Sequence, residues 1–245
     1  SKKLNKKFIE VISNYLPDVI VFGHADLIKR ETILFIKKNY PNIKFCQWFL
    51  DRMDDKWKKN LERFKHKYDL MDANFCTSDP KKIKSKSESR IYYLPNPVDE
   101  SFEKLKNYQN KFLSNDVFFA MSHGVHRGVL KKGKQDKRES FLRKLIKISS
   151  EQIKFDLYGF SNRQPVWGDD FINVISNSKM GLNLSRGEPL KYYSSDRIAQ
   201  LFGNGLLTFL DEKTHLNELF NNNEAVFYKD INDLAEKILK YKKYN

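Results

Sequence analysis

Cysteine is nearly absent from this chain: Cys46 and Cys76 are the only two among 245 residues, both in apolar, strand-like runs without CxxC or Cys/His spacing. A disulfide framework and a zinc site are thereby excluded as organising principles, and both thiols are expected to be buried. Long apolar runs are missing as well, since none approaches the roughly 18 to 20 residues that a membrane span requires. The opening Ser-Lys-Lys-Leu-Asn-Lys-Lys has no apolar signal core behind it, so export is not expected and a cytoplasmic location is. Acid is in short supply too: 31 Asp plus Glu face 45 Lys plus Arg, a formal charge of +14 that calls for anionic company or a solvated surface. What is present excludes disorder, because 40% hydrophobic and 14% aromatic residues can bury a core, and the length suffices for two small domains.

Periodicity divides the chain. Leu4 to Asn14 carries apolar residues at helical spacing, then Pro17-Asp18 opens the run Val19-Ile20-Val21-Phe22, which Gly23 closes. Helix-to-strand units recur as helix Glu31 to Asn39, strand Ile43 to Leu50, helix Trp57 to Tyr68, and strands Ala73 to Cys76 and Arg90 to Leu94. Two prolines in Pro95-Asn96-Pro97-Val98-Asp99 interrupt the series, and the Lys-rich stretch to about Ser114 reads as a hinge. A second series follows. It has strands Val117 to Met121, Lys154 to Tyr158, Met180 to Leu184, Leu206 to Leu210 and Ala225 to Tyr228, with helices Gln135 to Ser149, Asp196 to Phe202 and Ile231 to Tyr241. Such alternation predicts an α/β protein of parallel strands with helical crossovers, divided as 1–98, a linker 99–114, and 115–245. The first domain has about four strands and opens inside a helix without Met. Either its opening strands lie outside this sequence or the domain is abbreviated.

In parallel sheets ligands bind beyond the carboxyl ends of strands, where backbone N–H groups and helix N-termini favour anions. The turn Ser122-His123-Gly124-Val125-His126-Arg127-Gly128 places two glycines and Arg127 after one such strand, a phosphate-facing arrangement that ordinary loops also adopt. A fuller signal runs from Ser185 to Ile198, after a strand and into a helix. Ser194 or Ser195 can cap that helix, and Asp196 and Arg197 fall in its first turn. A carboxylate there can accept both hydroxyls of a ribose, and a guanidinium can grip a diphosphate through paired N–H donors. The plainer alternative is a helix cap with a surface ion pair.

Strand Met180-Gly-Leu-Asn-Leu-Ser, then Lys191-Tyr-Tyr-Ser-Ser-Asp-Arg-Ile, then Phe202-Gly-Asn-Gly-Leu-Leu-Thr resembles the donor-binding half of GT-B glycosyltransferases, in the group 1, CgeB-like branch. The resemblance covers about residues 175 to 240. It implies two Rossmann-like domains facing a cleft, with a nucleotide diphospho-sugar, UDP- or GDP-linked, bound mainly by the C-terminal domain and the acceptor by the N-terminal one. By position it gives Asp196 the ribose, Arg197 the diphosphate, Arg127 with Gly124 a second phosphate contact, and Glu188 an approach to the sugar. Lys191, Tyr193 and Ser195 complete the donor set. Many group 1 enzymes carry two glutamates eight apart. Glu188 and Asp196 have that separation, but counting back from Gly205 moves the pair onto Gln200 and Tyr192.

Sugar transfer needs negative charge stabilised on the leaving diphosphate, which cations and helix N-termini do without a metal. No Asp-x-Asp occurs to hold Mn²⁺ or Mg²⁺, so no cofactor and no metal are expected. An inverting reaction also needs a base at the acceptor hydroxyl, and the candidates after the N-terminal strands are His24 and Asp51. Glycan or lipid-linked acceptors fit the basic surface, which could rest against anionic headgroups at the inner face of a membrane. A nucleic-acid-binding protein is the competing class. Against it, the charge is spread, 24 basic and 15 acidic residues up to position 112 and 21 and 16 beyond, with no zinc knuckle or basic recognition helix. A sugar-nucleotide epimerase of similar build is a third reading.

Overall fold

A computed structural model describes residues 2–83, 90–123, 136–149 and 151–243. The chain forms two compact units, residues 1–96 with 192–195, and residues 97–191 with 196–245. Among the described residues no helix is long and apolar enough to cross a membrane.

In the first unit the elements are α1 (Lys2–Tyr15), β1 (Val19–Phe22), α2 (Arg30–Asn39), β2 (Lys44–Phe49), α3 (Lys58–Lys65), β3 (Ala73–Cys76) and β4 (Ile91–Tyr93). All strands are parallel, in the order β1-β2-β3-β4. A sheet that grows in one direction through right-handed crossovers puts its helices on one face. The burial pattern shows this: Ile20, Phe22, Phe45 and Phe49 are buried with Ile12, Ile33, Ile36 and Phe64 of the helices. On the opposite face Val19, Val21 and Tyr92 are about half exposed, at 50%, 60% and 48%. That alternation is unusual for parallel strands, which ordinarily lie buried on both sides.

The second unit contains β5 (Asn115–Ala120), α4 (Lys137–Ile148), β6 (Phe155–Tyr158), α5 (Gly168–Ile175), β7 (Ser178–Leu182), α6 (Asp196–Gly203), β8 (Leu207–Asp211), β9 (Val226–Tyr228) and α7 (Ile231–Lys243). Its parallel sheet has the order β6-β5-β7-β8-β9, so the chain reverses its direction of growth at β5. Reversal places helices on both faces. Val117 and Phe119 pack with Leu142, Leu145 and Ile238, while Phe118 packs with Ile175 and Leu201. Helix α5 is not foreseen from the sequence, because it is eight residues long and opens on Trp167-Gly168-Asp169-Asp170.

The stretch expected as a linker is a strap on the second unit. Asn107 is 4% exposed, and its amide donates to the carbonyls of Ile175 and Ser178 at 2.8 and 2.9 Å. Leu105 packs beside Phe118 and Leu206. Its backbone amides are satisfied the same way, with Asn107 N–H donating to the Asn204 carbonyl at 2.9 Å.

Candidate functional site

The carboxyl ends of β5 and β7 are the reversal point of the second sheet, the position where open α/β sheets receive ligands. Arg197, in the first turn of α6, is turned onto it. Its Nε and Nη2 donate to the Ala120 carbonyl at 3.3 and 3.2 Å, and Nη1 to the Leu184 carbonyl at 3.1 Å and Asn183 Oδ1 at 3.4 Å. Its guanidinium carbon lies 5.0 Å from the centre of the Phe119 ring. A fixed cation is thereby bolted to the ends of two adjacent strands by their own carbonyl oxygens. Asn183, 4% exposed, is part of that mount and was not among the residues expected from sequence.

Around this point the other expected residues are distributed unevenly. Asp196 begins α6 and is exposed, and Glu188 is exposed in the loop after β7. The Lys191 ammonium lies 3.5 Å from Glu218. Tyr193 and Ser195 belong to the short stretch 192–195 that is part of the first unit. There the Ser194 N–H donates to the Thr77 carbonyl at 2.9 Å, and the Tyr192 ring lies 5.5 Å from that of Tyr93. Gly124 and Arg127 lie outside the described residues.

Two acids near the second sheet's rim carry shifted titrations. Burial pushes the Asp211 carboxyl up at the end of β8; Lys213 opposes this and the charge of Glu188 adds to it. Burial also works against the charge of Asp136, the cap of α4. Three hydrogen bonds at 2.9 Å from the Arg138 backbone and guanidinium outweigh it and hold the carboxyl well below the usual range. His123, 1% exposed after β5, directs Nε2 at the Gly159 carbonyl and lies 3.2 Å from Glu139. Gly159 is irreplaceable at this crossing: φ is +67°, and a Cβ would stand 1.8 Å from the Met121 carbonyl.

A second cluster lies at the carboxyl ends of β1 and β2 in the first unit. The loop after β1 is pinned at two points: buried Lys67 donates to the Ala25 carbonyl at 2.6 Å, and buried Asn5 donates to that of Leu27 at 2.8 Å while accepting from the Lys29 N–H at 2.9 Å. Burial lowers the Lys67 pKa, which the charge of Asp26 resists. On this rigid loop sit His24 and Asp26, and after β2 comes Asp51. Arg63, projecting from α3, joins all three. Its Nε and Nη2 donate to Asp26 at 2.9 and 2.6 Å, Nη1 to Asp51 at 3.0 Å, and Nη2 to His24 Nδ1 at 2.7 Å. Hydrogen bonding by Asp26, opposed by burial, raises the Arg63 pKa further. The two catalytic candidates of the first unit, His24 and Asp51, are therefore neighbours, with Nε2 and Oδ2 3.9 Å apart. Asp26 and Arg63 were missed, and only the Gly23-His24-Ala25-Asp26 turn hinted at one of them.

Two units of parallel α/β sheet in one chain, the second of them doubly wound, fit the GT-B fold. Residues 135–245, within the second unit, match the model of the family described as glycosyl transferase-like. Among solved structures the chain is similar to the Glycosylation Associate Protein (Gap123) complex from Streptococcus agalactiae, with 13% identity, TM-score 0.56, and coverage of 98% of this chain and 51% of that one. It is also similar to TarM, with 10% identity, TM-score 0.55, and coverage of 95% and 50%. The apo structure of OtsA matches with 12% identity, TM-score 0.50, and coverage of 99% and 69%. The chain thus spans about half the length of the first two. A search of curated proteins finds no match.

Proposed function

We propose that this protein is a metal-independent glycosyltransferase that moves a sugar from a nucleotide diphospho-sugar, UDP- or GDP-linked, to a glycan or lipid-linked acceptor. The observation that carries the reading is Arg197, a cation mounted on the ends of β5 and β7 where the sheet reverses. A diphosphate held there would have its developing negative charge met by a guanidinium whose position needs no rearrangement, the condition under which electrostatic stabilisation is strongest. Asp196, one residue earlier at the start of α6, is the group assigned to the ribose hydroxyls, Glu188 is assigned to the sugar, and Lys191 belongs to the donor-binding set. Acceptor chemistry belongs to the first unit, at His24 and Asp51. The family match over residues 135–245 supports transfer of a sugar as the reaction class.

The test is a thermal-shift screen of UDP, GDP and their sugar conjugates, followed by transfer assays with and without a chelator. Stabilisation by one nucleoside diphosphate series, and none by single-stranded oligonucleotides, is the expected result. Specific stabilisation by oligonucleotides alone would instead favour a nucleic-acid-binding protein. We further propose a cytoplasmic enzyme that rests peripherally on anionic membrane, in keeping with the charge of +14. Co-sedimentation with anionic vesicles that disappears at high salt is expected; binding indifferent to salt and to lipid charge would refute it.

A further inference from the structure

We infer that Arg63 is a positioning residue that fixes the proton of His24 on Nε2, so that an acceptor hydroxyl is held between the His24 Nε2–H and the Asp51 carboxylate, with Asp51 as the base. The inference rests on the proposed sugar transfer. It reverses the simplest assignment, in which the imidazole takes the proton.

A guanidinium can only donate hydrogen bonds. With Arg63 Nη2 2.7 Å from His24 Nδ1, that nitrogen must present its lone pair, and the neutral ring carries its hydrogen on Nε2. Nε2 then has no lone pair with which to accept a proton, and it faces Asp51 Oδ2 at 3.9 Å, too far for a direct hydrogen bond. A hydroxyl oxygen about 2.8 Å from each fits that gap, with an angle of about 90° at the oxygen. It would accept from Nε2–H and donate to the carboxylate.

The surroundings keep this geometry rigid. Asp26 neutralises Arg63 through its Nε and Nη2, and the Arg63 guanidinium lies 5.5 Å from the centre of the Phe49 ring. The neighbouring helix residue Phe64 is fully buried against the same Phe49, at 5.8 Å between ring centres, so α3 cannot roll without disturbing the core. In the step itself the hydroxyl oxygen forms the bond to the anomeric carbon and the bond from that carbon to the phosphate oxygen breaks. The nucleoside diphosphate leaves with the electron pair, and the hydroxyl proton passes to Asp51.

The first measurement needs no substrate. Long-range proton–nitrogen correlation of the imidazole rings at pH 8, with His24 assigned from a His24→Gln variant, is expected to show a protonated Nε2 and an unprotonated Nδ1. In Arg63→Ala the two tautomers are expected to mix. Arg63→Lys keeps the charge but loses the planar fork that reaches Asp26, Asp51 and His24 at once, so mixing is expected there too; it stands in should the alanine variant unfold. A His24 tautomer unchanged in both variants overturns the inference. The second measurement is transfer kinetics: Arg63→Ala is expected to lower kcat at least tenfold with the donor KM within twofold, and Asp51→Asn to lower kcat at least a hundredfold. Full activity of Asp51→Asn removes Asp51 as the base and overturns the inference. A wild-type protein with the Nε2–H tautomer that transfers from no nucleotide sugar would sink the proposed function while leaving the role of Arg63 toward His24 in place.

Discussion

Replacing Arg197 by alanine tests the reading of the second unit most directly. The guanidinium reaches two backbone carbonyls and Asn183 at 3.1 to 3.4 Å. A phosphate oxygen about 4 Å from such a charge gains on the order of 4 kcal/mol at the effective dielectric of a protein surface, part of which desolvation offsets. A charge-assisted hydrogen bond nets about 1.5–3 kcal/mol. The expected loss in nucleotide affinity is therefore about 2–3 kcal/mol, roughly 30- to 160-fold.

Thermal shift converts this into a readable number. At a nucleotide concentration of about 100 times Kd the wild type gains about 2.7 kcal/mol; a variant roughly 50-fold weaker gains only about 0.6 kcal/mol under the same conditions. For a unit of this size the difference amounts to about 4–8 °C in Tm. Asn183→Ala, which keeps the charge and loosens its mount, is expected to fall between the two. Arg197→Ala binding UDP or GDP as the wild type does would remove Arg197 from the site, and the assignment of the reversal point with it.

Other consequences follow from burial and charge. A thiol reagent is expected to label Cys46 alone in the native protein and both cysteines in denaturant, because Cys76 is fully buried with its pKa pushed up to about 11; two native thiols would contradict the packing beneath β3. Asp136→Asn keeps a capping oxygen and removes a charge. The carboxyl is held below its usual pKa, so its contribution to stability is present above the ordinary carboxylate range near pH 4 and is lost as pH falls below it. The variant is expected to cost on the order of 1–3 kcal/mol at pH 7 and to flatten the acid limb of chemical denaturation; an unchanged limb would show that another group controls it. In Gly181→Ala the new Cβ would stand 2.4 Å from Leu201 Cδ2, a fully buried side chain, so Leu201 must repack or move with its helix at a cost of about 1–3 kcal/mol. Gly181→Ala with Leu201→Ala should cost less than the sum of the two changes, and strict additivity would refute the contact.

Strands were legible in the sequence wherever β-branched and aromatic residues are bracketed by breakers. Val19 to Phe22, between Pro17-Asp18 and Gly23, and Ala73 to Cys76 match the observed elements residue for residue. Where the brackets are weak the reading slipped by two residues, as at β7, expected from Met180 and found from Ser178. The packing of the stretch 99–114, expected as a linker, was not legible because what holds it is long-range: Asn107 is an ordinary polar residue until the carbonyls of Ile175 and Ser178 arrive around its amide. Arg63 was invisible for the same reason. Its partners are 12, 37 and 39 positions away, and no spacing rule joins a helix to two strand ends. At Asp196 and Arg197 a strand, a loop and a helix start occur in one short run, so local order alone brings both to the carboxyl edge of the second sheet.

That adjacency also limits what the two can do together. Successive residues on a helix point about 100° apart and do not face each other. Here Arg197 turns inward to Ala120 and Leu184 while Asp196 is exposed. A ligand engaging both is therefore expected to be extended, with an anionic part on the strand ends and a polar part at the start of α6. A nucleoside diphosphate has that form. The losses in affinity from Asp196→Asn and Arg197→Ala are therefore expected to add within about 0.5 kcal/mol, and Asp196→Asn alone to erase any preference for ribose over deoxyribose. A coupling well above that value would mean that acid and guanidinium act as one unit on one group, and would refute the extended ligand.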